Sequence, residues 1–208
     1  MPLVIYKLGG SLLTLNDLDR RLASLFKQRL SLPPDVAGSC PLDRAVLVGG
    51  GGVADLVRSW DRAYKLGGER SHDLALAAMA FNAQFVNAVL RDSVVVAKRS
   101  SIRKACADGS IAVLDPRRVL DEAEKRSAQR LPRSWDVTSD SIAAFLSISW
   151  RATALVLVKS SPRPAGQSAA AAARRGLVDK YFPKVAGGVP LVAWANLRSK
   201  RLAIERWL

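Results

Sequence analysis

The chain predicts a three-layer α/β/α sandwich built on a mostly parallel sheet. Short β-branched segments read as continuous apolar runs, as strands buried on both faces do. Longer helical patterns separate them, which implies crossover connections and helices on both sides of the sheet. Twice, a strand runs directly into glycines and then a helix start, at Leu8-Gly9-Gly10-Ser11 and at Val48-Gly49-Gly50-Gly51-Gly52. The 208 residues suit a single domain over 1–208 with a substantial core.

In chain order, the first strand is Leu3–Lys7, followed by a helix over Leu15–Arg29. Ser31–Pro41 is a connector rich in Pro, Gly and Ser. Ala45–Val48 is the second strand, and helices follow at Val53–Tyr64 and Ser71–Leu90. Val94–Ala97 and Ile111–Leu114 are strands, then Asp121–Gln129 and Ser139–Arg151 are helices. Ala154–Val158 and Val189–Trp194 complete the sheet. Between them, Gly166–Gly176 contains the alanine run Ala169–Ala173. It reads either as a short helix closed by Gly176 or as a lid-like loop.

Composition excludes several classes. No apolar run approaches the ~20 residues of a spanning helix, and Met1–Ile5 lacks a basic, signal-like start. A cytoplasmic protein is expected. Cys40 and Cys106 are too few for a disulfide framework, and with the single His72 they cannot fill a closed zinc shell. No metal ligand is expected. The net charge of +14 attracts polyanions. The basic residues are scattered, with short clusters at Lys98–Lys104 and Arg198–Arg201, and no nucleic-acid-binding signature accompanies them. Nucleic acid is therefore not the expected partner, and Arg198–Arg201 reads as solvated surface.

Chemistry concentrates in three segments. In Val4–Ser11 a strand ends on Lys7 and enters Gly9, Gly10 and Ser11. Bare backbone there lets successive N–H groups approach a phosphate, with the lysine beside the same anion. No GxxxxGK[ST] loop occurs. The second segment is Gly49–Gly52, where four glycines cost roughly 0.5–1 kcal/mol each in regular structure, so something requires exposed backbone. Two such cradles in one sheet would bring a donor and an acceptor phosphate together. Neither fits a dinucleotide fingerprint. The third is Trp135–Ala144, where Thr138 and Ser139 suit a helix N-cap and Asp140 its first turn. Read from the residues alone, Asp140 compensates the dipole of a core helix.

Together, K-x-G-G-S, the second glycine loop and the T-S-D-S-I-A-A helix start resemble the amino acid kinase superfamily, with its carbamate kinase-like fold. That superfamily includes acetylglutamate, aspartate, carbamate and uridylate kinases. Ser71–Met79, Trp135–Ala144 and Gly176–Pro183 further resemble the small kinases of methanofuran and methylofuran cofactor synthesis. Those enzymes phosphorylate aminomethylfuran phosphate to its diphosphate. The resemblance implies ATP, with Mg²⁺ carried on the nucleotide, an anionic small-molecule acceptor and a homo-oligomer. It implies that Lys7 and Asp140 are catalytic, with Asp140 orienting the lysine so that Asp140→Asn spares stability and costs turnover, and that Gly9, Gly10 and Ser11 cradle the nucleotide. Gly49, Gly50, Gly51 and Gly52, with Thr138 and Ser139, would hold the acceptor. His72 would be a substrate contact on the same ground; read from the residues alone it is a polar side chain in a helix start with Ser71 as N-cap. Trp135 is either a core wedge or a ring that stacks on substrate.

The chain departs from the family pattern after its fifth strand. A T-D-V-D-G-like stretch is replaced by Leu155–Pro162, which has no acidic residue. Lys159 either contacts nucleotide phosphates there or is a solvated strand end. Lys184 is the nearest candidate for a second active-site lysine. The alternative to a kinase is a non-catalytic protein of the same fold that binds a nucleotide or phosphometabolite.

Overall fold

The computed structural model describes residues 2–28, 30 and 42–208. The connector over 31–41, Cys40 and the end of the first predicted helix lie outside them. Strands β1 (Leu3–Leu8), β2 (Asp43–Val48), β3 (Ser93–Val96), β4 (Ile111–Leu114), β5 (Ala154–Lys159), β6 (Val192–Asn196) and β7 (Ile204–Arg206) form one sheet. The order is β3-β4-β2-β1-β5-β6-β7. All neighbours are parallel except β7, which runs antiparallel to β6.

Strand β1 lies in the middle, buried along its whole length, with β2 on one side and β5 on the other. The chain builds the sheet outward from β1 in one direction and then returns to its other side. That reversal opens a crevice at the carboxyl ends of β1, β2 and β5, the usual place for a ligand in an open parallel sheet.

The helices are α1 (Leu18–Lys27), α2 (Gly51–Tyr64), α3 (Gly68–Val89), α4 (Arg99–Ala107), α5 (Pro116–Lys125), α6 (Ser139–Ser149), α7 (Ala169–Arg174) and α8 (Phe182–Ala186). One face of the sheet is covered by α1 and the later half of α3, through Leu18, Leu22, Leu25, Ala83 and Val86. The other face carries α4 to α8, through Ile102, Val119, Ile142, Ala172 and Phe182. The α/β/α layering follows from apolar residues on both faces of the central strands.

Several elements differ from the sequence reading. Helix α4 has two buried side chains, Ile102 and Ala105, too few to leave an apolar period. Helix α5 starts five residues before the predicted Asp121: Asp115 caps it by accepting from Arg118 N, and Pro116 fills the first turn. Helix α3 begins at Gly68 with Gly67 as N-cap, so Ser71 lies inside the first turn and caps nothing. The alanine run is helix α7, capped by Ser168. The sixth strand is shifted to Val192–Asn196. Strand β7, three residues long and largely exposed, has no burial pattern to betray it.

Candidate active site

Side-chain alternation decides what Lys7 meets. Along β1, Val4, Tyr6 and Leu8 face α1, while Leu3 and Ile5 face the α6 side. Lys7 shares the second parity. Along β5, Leu155 and Leu157 face the α6 side, so Lys159 does too. Asp140, in the first turn of α6, receives both ammonium groups. Lys7 Nζ lies 2.9 Å from Oδ1 and Lys159 Nζ 2.8 Å from Oδ2. Lys159 Nζ also donates to the Leu177 carbonyl at 2.8 Å.

This triad is dry. Asp140 is 4% exposed, and its two partners are nearly as enclosed. Burial alone would raise the Asp140 carboxyl, but Lys159 and Lys7 together hold it down at about 2. Burial pushes the Lys159 ammonium down to about 8, against the pull of Asp140 and with repulsion from Lys7. The site thus stores a surplus positive charge facing the crevice.

The two glycine loops meet beside it. A Cβ on Gly10 would lie 2.2 Å from Gly51 N, and Gly51 adopts φ +49. Backbone touches backbone there, which no other residue pair permits. Gly49 N donates to Leu8 O at 2.8 Å, and Gly9 N to Val158 O at 2.9 Å. The helix α2 starts at Gly51, so its first amides point into the same crevice. Gly52 is exposed, has open space around its α-carbon and lies outside the cavity. It is not brought to the site.

A cavity of about 210 Å³ opens from Lys7 and Gly10 between α2, α3 and the start of α6. Gly49, Gly50, Gly51, His72, Thr138 and Ser139 line it. Leu76, Met79 and Ile142 supply an apolar side. Trp135 stands half-buried in the wall, not as a core wedge. Its indole N–H donates to Asp61 at 2.7 Å, and the Arg58 guanidinium lies 4.5 Å from the ring centroid. His72 is 4% exposed, and burial, with Arg133 nearby, lowers its pKa and keeps it neutral. Among the described residues its Nε2 has no hydrogen-bond partner.

Lys159 is therefore no solvated strand end: it is the second lysine of the triad. Lys184 is placed elsewhere, over the Tyr181 ring at 5.2 Å. Thr138 flanks α6 but its side chain does not cap it. Asp179 does so from a distance, accepting from Thr138 N at 3.0 Å and Ser141 N at 2.9 Å, and also from both hydroxyls. With α6 capped by Asp179, the Asp140 carboxylate is left to the lysines.

Sequence reasoning missed three residues. Asp179 is one. Asn82 is another: buried in α3, it donates to Gly49 O and Gly50 O, both at 2.8 Å. Its signal was a lone amide in the apolar run Ala77–Ala83. The third is Arg198, whose guanidinium donates to Ser11 O at 3.1 Å. Arg21 fixes that loop by donating to Leu197 O and Ser199 O at 3.0 and 3.1 Å. Ser11 also reaches the β5 side, its hydroxyl donating to Ser160 Oγ at 3.3 Å. Replacing Asn82 with alanine strands the Gly49 carbonyl at the second loop, while Gly50 O keeps its bond from Ala54 N. A stability loss of about 1–3 kcal/mol is expected in chemical denaturation, with acceptor KM rising more than kcat falls.

The profile of the amino acid kinase family matches residues 2–163. The chain belongs to the amino acid kinase family. It is a phosphotransferase of that superfamily, a small-molecule kinase. No curated protein matches the chain by sequence. Among solved structures it is similar to UMP kinase from Ureaplasma parvum, with TM-score 0.61 and 12% identity over 97% of this chain and 92% of that one. It is also similar to uridylate kinase from Archaeoglobus fulgidus, with TM-score 0.57 and 14% identity over 92% and 89%. UMP kinase from Bacillus anthracis gives 0.58 and 13% over 96% and 90%. At these identities the likeness is one of fold.

Proposed function

We propose that the protein transfers the γ-phosphoryl group of ATP to a small phosphomonoester, and that aminomethylfuran phosphate is the acceptor. The observation that carries the reading is Asp140 held between Lys7 and Lys159 where the two glycine loops touch. Phosphoryl transfer needs positioning and neutralisation of charge on the equatorial oxygens, with little covalent chemistry. Lys7 and Lys159 supply the charge, the amides of Gly10, Ser11, Gly50 and Gly51 supply directed donors, and Asp140 fixes both ammonium groups. Arg198 adds a guanidinium at the mouth of the first loop, on the nucleotide side. Thr138, Ser139 and His72 contact the acceptor from the cavity wall.

The cavity chemistry favours this acceptor class. Its inner end is cationic and suits a phosphate. Its sides combine Trp135 with Leu76, Met79 and Ile142, which suits a small flat ring. Asp55 also lines it; its Oδ1 pairs with Arg58 at 2.8 Å, and its Oδ2 is the oxygen offered to an amine. Among the described residues no group of three or more His, Cys, Asp or Glu could hold a metal ion. Mg²⁺ would arrive with the nucleotide and would neutralise phosphate charge beside Lys7 and Lys159.

A coupled ADP-release assay with MgATP tests the reading against aminomethylfuran phosphate, UMP, acetylglutamate and aspartate. Turnover confined to aminomethylfuran phosphate is expected. Turnover with UMP or a carboxylate alone overturns the acceptor. MgATP binding with no turnover on any of them would leave a non-catalytic nucleotide-binding protein.

The Lys159 ammonium gives a pH test. Phosphate contact needs it protonated. ATP affinity is therefore expected to fall as pH rises through about 8, by up to tenfold per unit, in calorimetric titrations. The sign for folding is opposite. Between about 8 and the ordinary 10.5 the unfolded chain holds this proton more firmly, so the group's contribution to stability rises with pH.

Two further parts of the proposal concern setting and assembly. A cytoplasmic location is proposed; among the described residues no helix is long and apolar enough to cross a membrane. A homo-oligomer is proposed through the exposed stripe of Leu56, Trp60 and Tyr64 on α2 and Leu74, Phe81 and Phe85 on α3. Sedimentation is expected to give a species larger than the monomer, and Phe81→Glu to dissociate it.

A further inference from the structure

We propose that the groove between α5, α6 and α8, at the far end of α6 from Asp140, is a second anion site. It takes a small phosphorylated molecule with an apolar body and stands apart from the reaction.

The groove measures about 990 Å³. Its lining includes Arg99, Arg126, Arg130, Arg151 and Lys184 and contains no carboxylate. Cations of one sign gathered in a concavity focus the field on an incoming anion. Most are arginines, whose planar forks match phosphate oxygens in pairs. The floor is aromatic: Phe145 and Trp150 are 7% and 4% exposed. Tyr181 and Val185 of the α8 region close the opposite wall. Charged rim and apolar floor together define a ligand with both characters.

Among the described residues only Arg126 of these cations meets a carboxylate, and Lys184 lies over the Tyr181 ring. Glu122 engages Arg126 at 3.2 Å. The Arg99 guanidinium donates to the Trp150 carbonyl at 2.9 Å, which presents its remaining N–H groups at the groove edge. Among the described residues neither Arg130 nor Arg151 forms a salt bridge.

The backbone at Arg151 is itself unusual. The residue sits just past the end of α6 at φ +53, a left-handed position that favours glycine. Ala152 N donates back to Ser147 O at 2.7 Å, the bond that closes a helix in this way. An arginine held there against its backbone preference projects from the groove wall, and backbone strain of this kind gathers at ligand sites.

The groove also shares a segment with the active site. Tyr181, Lys184 and Val185 line the groove, while Leu177 O accepts from Lys159 and Asp179 caps α6. Asp179 accepts from Phe182 N at 2.9 Å, tying the two ends of that segment together.

Tripolyphosphate is the probe, titrated calorimetrically at low salt into wild type, Arg151→Gly, Arg130→Gln and Lys7→Ala. Wild type is expected to show two sites per chain. Arg151→Gly is expected to raise the thermal midpoint, because glycine accepts the left-handed position, and to weaken one site by at least tenfold. Arg130→Gln, at an exposed loop position, should weaken the same site without touching the fold. Lys7→Ala should keep the groove site and lose the other. Unchanged binding in Arg151→Gly and Arg130→Gln overturns the proposal, whatever happens to the midpoint. Loss of the groove site alone, with Lys7→Ala binding like wild type, would uphold the groove and count against the active-site reading instead.

Discussion

Lys7→Ala is expected to lower kcat by about 10²–10³-fold while the protein remains folded. The magnitude follows from removing a preorganised group that acts on developing transition-state charge. The folded state tolerates the change for a particular reason. Asp140 keeps Lys159 at 2.8 Å, so the deletion leaves a matched ion pair, not a lone buried charge. It also removes the repulsion that Lys7 exerts on Lys159. Turnover on the acceptor and the thermal midpoint, measured on one preparation, check this. A variant that turns over normally would remove Lys7 from the chemistry; one that unfolds would show its role to be structural.

Asp140→Asn is expected to be more damaging to the fold than the sequence suggests. The motif alone predicts that asparagine spares stability. The structure revises that: the carboxylate lies between two enclosed ammonium groups, and an amide leaves both uncompensated. Removing one partner of a buried ion pair costs about 3–5 kcal/mol. For a chain of this size the midpoint should fall by about 10 °C. MgATP should restore much of it, because phosphates replace the missing negative charge, while kcat stays at least tenfold down. The wild type carries the matching acid signature. With the folded carboxyl at about 2 and its ordinary value at 3.8, its stabilisation is complete above the ordinary value and lost as pH falls through about 2. Acid unfolding of the two proteins, side by side, should show that difference. A variant of unchanged midpoint and activity would reduce Asp140 to a helix-end charge.

The fold and half of the site were legible because their signals are local. Lys7 lies two residues before Gly9, Gly49 to Gly51 are consecutive, and β-strand burial leaves apolar runs. Asp140 was visible through its motif. What remained hidden depends on distant partners. Asn82 acts 33 residues from Gly49, Asp179 41 residues from Thr138, and Arg198 187 residues from Ser11. No periodicity encodes such pairings. Lys159 was read correctly as a strand end but left with an open role, since its fate turns on which face of β5 it occupies. Gly52 shows the opposite error: a run of identical residues suggested a common need, but the close approach ends at Gly51.

The central position of β1 has a consequence for how the protein is made. Its partner β2 emerges early in synthesis, but β5 begins at Ala154, about three-quarters of the way along the chain. Until then one edge of a largely apolar strand stands unpaired, and unpaired apolar edges recruit other chains. Closing the register Ile5↔Leu155 spans most of the polypeptide, the kind of long-range pairing that slows folding. Lys7 and Lys159 come from the two strands of that pairing. The paired charge around Asp140 is therefore assembled among the last long-range contacts to form, and a nascent or truncated chain ending before residue 154 is expected to aggregate.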